Sequence, residues 1–210
     1  KKRINFIEQL SLIILVYLLT SFFIALPFYL SNYQVTFLNS LFEAISGVTG
    51  TGFSIFDNIK YLDPTLILWR SSSQWIGGFY FLIFLILIFS NKQFNYKMNE
   101  LSFSGDGGIN SENNIKDLLF RIFILYSVLS FIIFLLLNLS DVRMFNSLNL
   151  SMSLISTGGF IPTDSLDKII QSNPQKLTFI FSLLISLLNF FLILNIFEKK
   201  TIIREHKEDL

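Results

Sequence analysis

The sequence contains no cysteine, which excludes disulfides and thiolate metal sites. Its one histidine, His206, sits in a charged run, Glu198–Leu210, where a solvated side chain is the simple reading. No His/Asp/Glu cluster falls within the apolar segments. Neither a metal centre nor a Ser–His nucleophile is supported, and no enzyme is expected. Charge is scarce at 15% of the 210 residues, where a soluble domain carries about 25%. The basic residues are spread among short polar stretches rather than gathered into a stripe, so nucleic acid is not an expected partner. The first apolar run continues too far for a signal peptide and lacks a small-residue cleavage site. The start KKRINFIEQL, without Met, reads as part of a longer protein. What is abundant is apolar: 52% hydrophobic and 16% aromatic residues, with a mean hydropathy of +0.58. That balance places the chain in a lipid bilayer.

Four segments are apolar and long enough to span a bilayer of about 30 Å: Phe6–Leu30, Thr65–Phe89, Asp117–Leu137 and Leu177–Phe197. Glu8 lies near the end of the first, a headgroup position. Pro64 suits the first turn of the second. That second segment opens as ILWRSSSQWIGGF. Trp69 and Trp75 fit an interfacial belt. Ser71–Ser73 and Gly77–Gly78 permit close helix contact. Arg70 and Gln74 admit two readings: a snorkelling helix end, or a brace for the neighbouring loop, with Gly77 and Gly78 beside it. Ser90–Lys116 is hydrophilic; its SGDGG, Ser104–Gly108, lacks the strand–turn–helix context of a nucleotide site.

Between the spans one stretch occurs twice. Residues 39–53 read NSLFEAISGVTGTGF and residues 146–160 read NSLNLSMSLISTGGF, a constant 107 positions apart. Each copy is a helix-like run too short to span, with Asn39 or Ser40 able to cap the first. Each then opens into a Gly/Thr segment that an ordinary helix disfavours. The expected fold is therefore an all-α membrane protein: tandem helix–re-entrant pore loop–helix repeats, with four transmembrane helices and two pore helices. Residues 1–100 form the first unit with its loop, and 101–210 the second with its tail. Both loops then enter from one face. Eleven of the 16 basic residues lie on the opposite face, with both termini, so the positive-inside rule puts the termini in the cytoplasm.

A cation pore replaces the hydration shell with oxygen ligands, and backbone carbonyls can supply them. The backbone must take conformations that favour glycine, and Thr adds hydroxyls without bulk. Gly50, Thr51, Gly52 and Phe53, and Thr157, Gly158, Gly159 and Phe160, meet these demands as a selectivity filter. Irregular backbone at membrane depth is tolerated where it is buried or lines water. A flexible connection between helices is the plain alternative, which two copies in register disfavour. Glu43 has Leu150 at its repeat position, so it is not a repeated ligand, and it reads as a local hydrogen-bonding or structural group. Asp57 and Asp164 recur at the same offset and read as loop caps or cation attractors.

At LFEAISGVTGTGFS (41–54), LWRSSSQWIGG (68–78) and STGGFIPTD (156–164) the chain resembles the Trk/Ktr family of potassium-transport membrane subunits, of TrkH type. The resemblance runs from about residue 5 to residue 200. It implies four helix–loop–helix units around one pore, of which this chain matches the first and second. The key filter glycines fall on Gly52 and Gly159. The chain departs at Gly50, where the family usually has Thr, losing a hydroxyl but not a carbonyl. The family further implies potassium uptake across a bacterial inner membrane, with potassium as transported ligand and no other cofactor. It also implies a homodimer and a cytoplasmic nucleotide-binding regulatory subunit. Two units line half a pore, so the third and fourth units are expected partners. The alternative is a non-conducting membrane scaffold or degenerate half-transporter.

Overall fold

The computed structural model describes residues 6–89 and 112–187. Among these the chain is helical, with no strand. Helix α1, Phe6–Tyr29, is followed by α2, Phe37–Thr49, and α3, Pro64–Phe89. After the undescribed stretch come α4, Glu112–Leu139, α5, Met144–Ile155, and α6, Asn173–Ser186. Short 3-10 turns at Ile59–Tyr61 and Leu166–Lys168 interrupt the two outer connections. Two segments, Ile7–Tyr29 and Lys116–Leu139, are long and apolar enough to cross a membrane. The expected second span is a helix of 26 residues. The expected fourth begins as α6, and its remainder lies outside the described residues, as does the Ser104–Gly108 stretch.

The repeat seen in the sequence is a repeat of structure. The first residues of α2 and α5, Phe37 and Met144, are also 107 positions apart. The cap of α2 differs from expectation. Neither Asn39 nor Ser40 caps it; Thr36 does, its hydroxyl accepting the Asn39 N–H at 3.3 Å. Thr36 directly precedes the helix with extended backbone, which is what a capping side chain needs. Pro64 opens α3 as expected, and α6 opens on a capping box between Ser172 and Gln175.

α2 lies between α1 and α3, and α5 lies between α3 and α4. In lipid, helices associate by close packing of small residues rather than by a hydrophobic driving force. Gly77 on α3 touches the end of α2 so closely that an added Cβ would sit 1.9 Å from the Val48 carbonyl oxygen. Apolar packing fills the remaining seams. Ile24, Ala25, Phe28, Ala44, Val48 and Leu66 join the first three helices. Leu82, Ile86, Ile122, Tyr126, Leu150 and Leu154 join α3, α4 and α5. The two tryptophans also tie helices together. The Trp69 indole donates to the Ile24 carbonyl at 3.0 Å, and the Trp75 indole to Ser130 Oγ at 2.9 Å. Each fixes α3 to a neighbouring long helix, because a half-buried indole N–H needs an acceptor. Much of the outer surface of α1 is exposed Leu, Ile and Phe.

Candidate functional site

Both short helices end in the same way. The N–H of Gly50 bonds the Gly47 carbonyl, and the N–H of Thr157 bonds the Leu154 carbonyl. One residue on, Thr51 donates to the Ser46 carbonyl at 3.0 Å and Gly158 to that of Ser153 at 2.9 Å. The chain then leaves the helix through two left-handed residues separated by one ordinary residue. They are Gly50 (φ +69°) and Gly52 (φ +80°) in the first loop, Thr157 (φ +52°) and Gly159 (φ +84°) in the second. A β-branched residue with positive φ is an outlier; Thr157 takes the conformation that glycine takes at position 50. Such strain persists only where the surroundings impose it.

The loops touch. A Cβ at Gly52 would lie 2.4 Å from the Gly158 carbonyl oxygen and 3.5 Å from the Gly159 Cα. Gly52 is thus fixed as glycine twice, by its φ and by its neighbour. Gly159 has the same φ but an open flank, its nearest neighbour being the Gly52 Cα at 3.9 Å from an added Cβ.

Behind the loops runs one polar stripe of α3. Arg70 is 1% exposed and Glu43 is fully buried. The Arg70 Nε–H donates to the Glu43 carboxylate at 2.7 Å. The same carboxylate accepts the Ser54 hydroxyl at 3.0 Å and the Ile55 N–H at 2.8 Å. Arg70 Nη2 donates to Ser54 Oγ at 3.0 Å. The guanidinium also lies 4.3 Å from the Phe160 ring centroid. A buried charge needs a partner; Glu43 is that partner, and Arg70 Nε and Nη2 are hydrogen-bonded, while Nη1 is buried without a hydrogen-bond partner among the described residues. Arg70 is therefore a brace inside the fold and does not snorkel. One turn along, Gln74 meets the second loop: its Nε2 donates to the Gly158 carbonyl at 2.6 Å, and its Oε1 accepts the Phe160 N–H at 3.1 Å.

The sequence-predicted residues thus gather at one place. Gly50–Phe53 and Thr157–Phe160 lie side by side, with Arg70, Gln74 and Gly77 behind them and Gly78 against Tyr126 and Ser156. Phe53 and Phe160 part company: Phe53 is 68% exposed and Phe160 1%. Sequence reasoning missed the reach of Glu43 and the roles of Ser46 and Ser54. The Ser46 hydroxyl donates to the Phe53 carbonyl at 2.6 Å, closing the first loop on its own helix. An isolated acid in one apolar stretch and an isolated base in another was the available signal for the Glu43–Arg70 pair.

Outside the loops, Asp164 acts as a cap. It accepts the Lys60 N–H at 3.2 Å and the Lys168 ammonium at 2.8 Å, tying the two outer connections together. Those donors, the Lys168 ammonium first, hold its carboxyl below the usual aspartate range. Asp57 lines an open recess with Tyr33, Asn39, Phe56 and Tyr61. Among the described residues no group of three or more His, Asp or Glu could hold a metal ion.

Comparison with known proteins agrees with this architecture. A Trk system potassium uptake protein, TrkG of Escherichia coli, is 34% identical over 68 residues, 32% of this chain and 14% of that protein. An uncharacterized cation transporter of Methanocaldococcus jannaschii is 33% identical over 147 residues, 69% of this chain and 30% of that protein. The crystal structure of the potassium transporter TrkH from Vibrio parahaemolyticus matches 91% of this chain and 38% of its own, with a TM-score of 0.77 at 22% identity, a likeness of fold. The chain thus spans about a third of the archaeal relative and of the solved transporter. The family model described as TrkH, cation transport protein, matches residues 4–209, nearly the whole sequence, and the chain belongs to that family.

Proposed function

We propose that this chain forms part of a potassium uptake pathway, with the paired loops 50–53 and 157–160 as part of its selectivity filter. The observation that carries the reading is the repeated backbone at 50/52 and 157/159, left-handed even where the residue is Thr157. Two touching segments of irregular backbone, between helices apolar enough to cross a membrane, need water, protein or ions at their peptide groups. Carbonyls there suit a partly dehydrated cation. The membrane relatives named for potassium uptake support potassium as the ion.

In this reading α1, α3, α4 and α6 span the membrane and α2 and α5 are pore helices. Two loops make half of a four-part ring, which the third and fourth units of a full-length polypeptide or of another chain complete. The termini face the cytoplasm of a bacterial cell, and the assembled subunit works as a homodimer with a cytoplasmic nucleotide-binding regulatory subunit. The test is rubidium or potassium uptake by cells expressing the full-length gene. Gly52→Asp and Gly159→Asp, each placing a charged side chain on a left-handed residue of the paired loops, are expected to abolish uptake. Unchanged uptake in either overturns the filter assignment.

A further inference from the structure

Gln74 stands apart from every other residue at the site, because its side chain crosses from one unit to the backbone of the next. It is fully buried on α3, a helix of the first unit, yet both ends of its amide bond the second loop. We infer that Gln74 is a positioning residue that decides which carbonyls of the second loop are offered to the cation: it withholds Gly158 and presents Gly159. The inference rests on the filter reading above and refines it.

The argument is geometric. The amide of Gln74 receives the Phe160 N–H and gives an N–H to the Gly158 carbonyl. Those two groups therefore point toward α3. A trans peptide is planar, with its C=O and N–H directed oppositely. The Phe160 N–H belongs to the same peptide as the Gly159 carbonyl, so that carbonyl points away from Gln74. Exposure follows the same alternation: Thr157 and Gly159 are exposed, whereas Gly158 and Phe160 are buried. The Gly158 oxygen is also hemmed in laterally, in the place a Cβ at Gly52 would enter. A carbonyl committed at 2.6 Å to a buried amide is a poor ion ligand, since a cation would have to compete with that bond. A glutamine suits the task because one amide carries both a donor and an acceptor. It clamps the two sides of Gly159 as a neighbouring strand would, which holds that residue at φ +84°. The residue 107 positions after Gln74 is Phe181, whose side chain carries no amide.

The test is ion discrimination, read as the ratio of rubidium to sodium uptake at matched amounts of protein in the membrane, in cells expressing the full-length gene. Gln74→Met removes donor and acceptor with little change of volume. Gln74→Asn keeps the amide but draws it back by one methylene. Gly158→Ala attacks from the other side, placing a methyl 2.4 Å from the Gln74 Cδ. Each is expected to lower the ratio about tenfold, the scale of one buried hydrogen bond, while uptake of both ions persists. An unchanged ratio in any of these variants present at the normal level overturns the assignment. So does a parallel loss of both ions in all three, which is the mark of a merely structural role. Gly52→Asp serves as the reference. If it abolishes uptake while the ratio holds in the Gln74 variants, the clamp fails and the filter reading stands. If it leaves uptake intact, the filter reading itself fails.

Discussion

The two loops share a backbone and differ in what holds it. The first is braced by charge. Glu43 comes from its own short helix and Arg70 from its own second long helix, and both are buried with Ser54 between them. The second is braced by a neutral amide from the neighbouring unit, with the Arg70 guanidinium lying over Phe160. The second unit carries Leu150, Leu177 and Phe181 at the positions of Glu43, Arg70 and Gln74. Leu150 is buried in the apolar seam, while Leu177 and Phe181 are exposed. One helix, α3, therefore serves both loops. The backbone repeats because the local sequence repeats; the supports do not, because each loop has a different neighbour. The same rule separates Phe53 from Phe160. Phe160 lies beneath α3, and no described helix covers Phe53.

The largest expected effect comes from making the first loop's brace resemble the second unit. Glu43→Leu leaves the Arg70 charge buried and unpaired, which costs about 3–5 kcal/mol. Thermal unfolding of the full-length protein in detergent reads that loss. The double substitution Glu43→Leu with Arg70→Leu removes both charges and copies Leu150 and Leu177. It is expected to recover at least half of the loss. A double variant as unstable as the single would show that the bonds of Arg70 to Ser54 and its seat over Phe160 matter more than charge pairing.

A smaller effect separates the equivalent glycines. Gly52→Ala and Gly159→Ala both force a side chain into left-handed backbone, at about 1–2 kcal/mol. Only Gly52→Ala also collides with the other loop, since its Cβ would meet the Gly158 carbonyl. Rubidium uptake is expected to fall further in Gly52→Ala than in Gly159→Ala. Equal losses would show that the loops do not touch as they do here.

The smallest effect lies at the tie between the outer connections. Asp164 has a lowered pKa in the folded protein, so it stabilises the folded arrangement above the ordinary aspartate value of 3.8. That contribution fades as pH falls from there through the lower folded value. Protection of the Lys60 amide from hydrogen exchange should weaken over that acid range, relative to Asp164→Asn at the same pH. The Asn variant should start weaker and show no such step. A wild-type profile parallel to the variant's would mean that the Asp164 bonds do not tie the two connections.

The long helices were legible because their apolar runs are continuous, and α3 began at Pro64 as that residue's fixed φ favours. The short helices were legible because the same pattern occurs twice and ends twice in small residues. The cap at Thr36 was not, since three hydroxyl or amide residues in Thr36–Ser40 are all chemically able to cap. Only the point where the backbone turns helical selects among them. Arg70 was ambiguous for a related reason. A basic residue near the start of an apolar helix can reach for headgroups or for a buried acid, and the local sequence is the same in both cases. The partners of the tryptophans were not legible either: their indoles found Ile24 and Ser130, far away in sequence.

By itself the sequence determined that the chain belongs in a membrane, that it is built from a unit used twice, and that Gly52 and Gly159 are equivalent. Those conclusions need only composition, period and local backbone preference, which act within a few residues. The tertiary structure alone decided that Glu43 meets Arg70, that Gln74 serves the loop of the other unit, and that Phe53 and Phe160 have opposite surroundings. Each of those pairs partners 27 or more residues apart or distinguishes two identical local patterns. Such choices are made by packing, which places a side chain beside whatever neighbour the fold supplies.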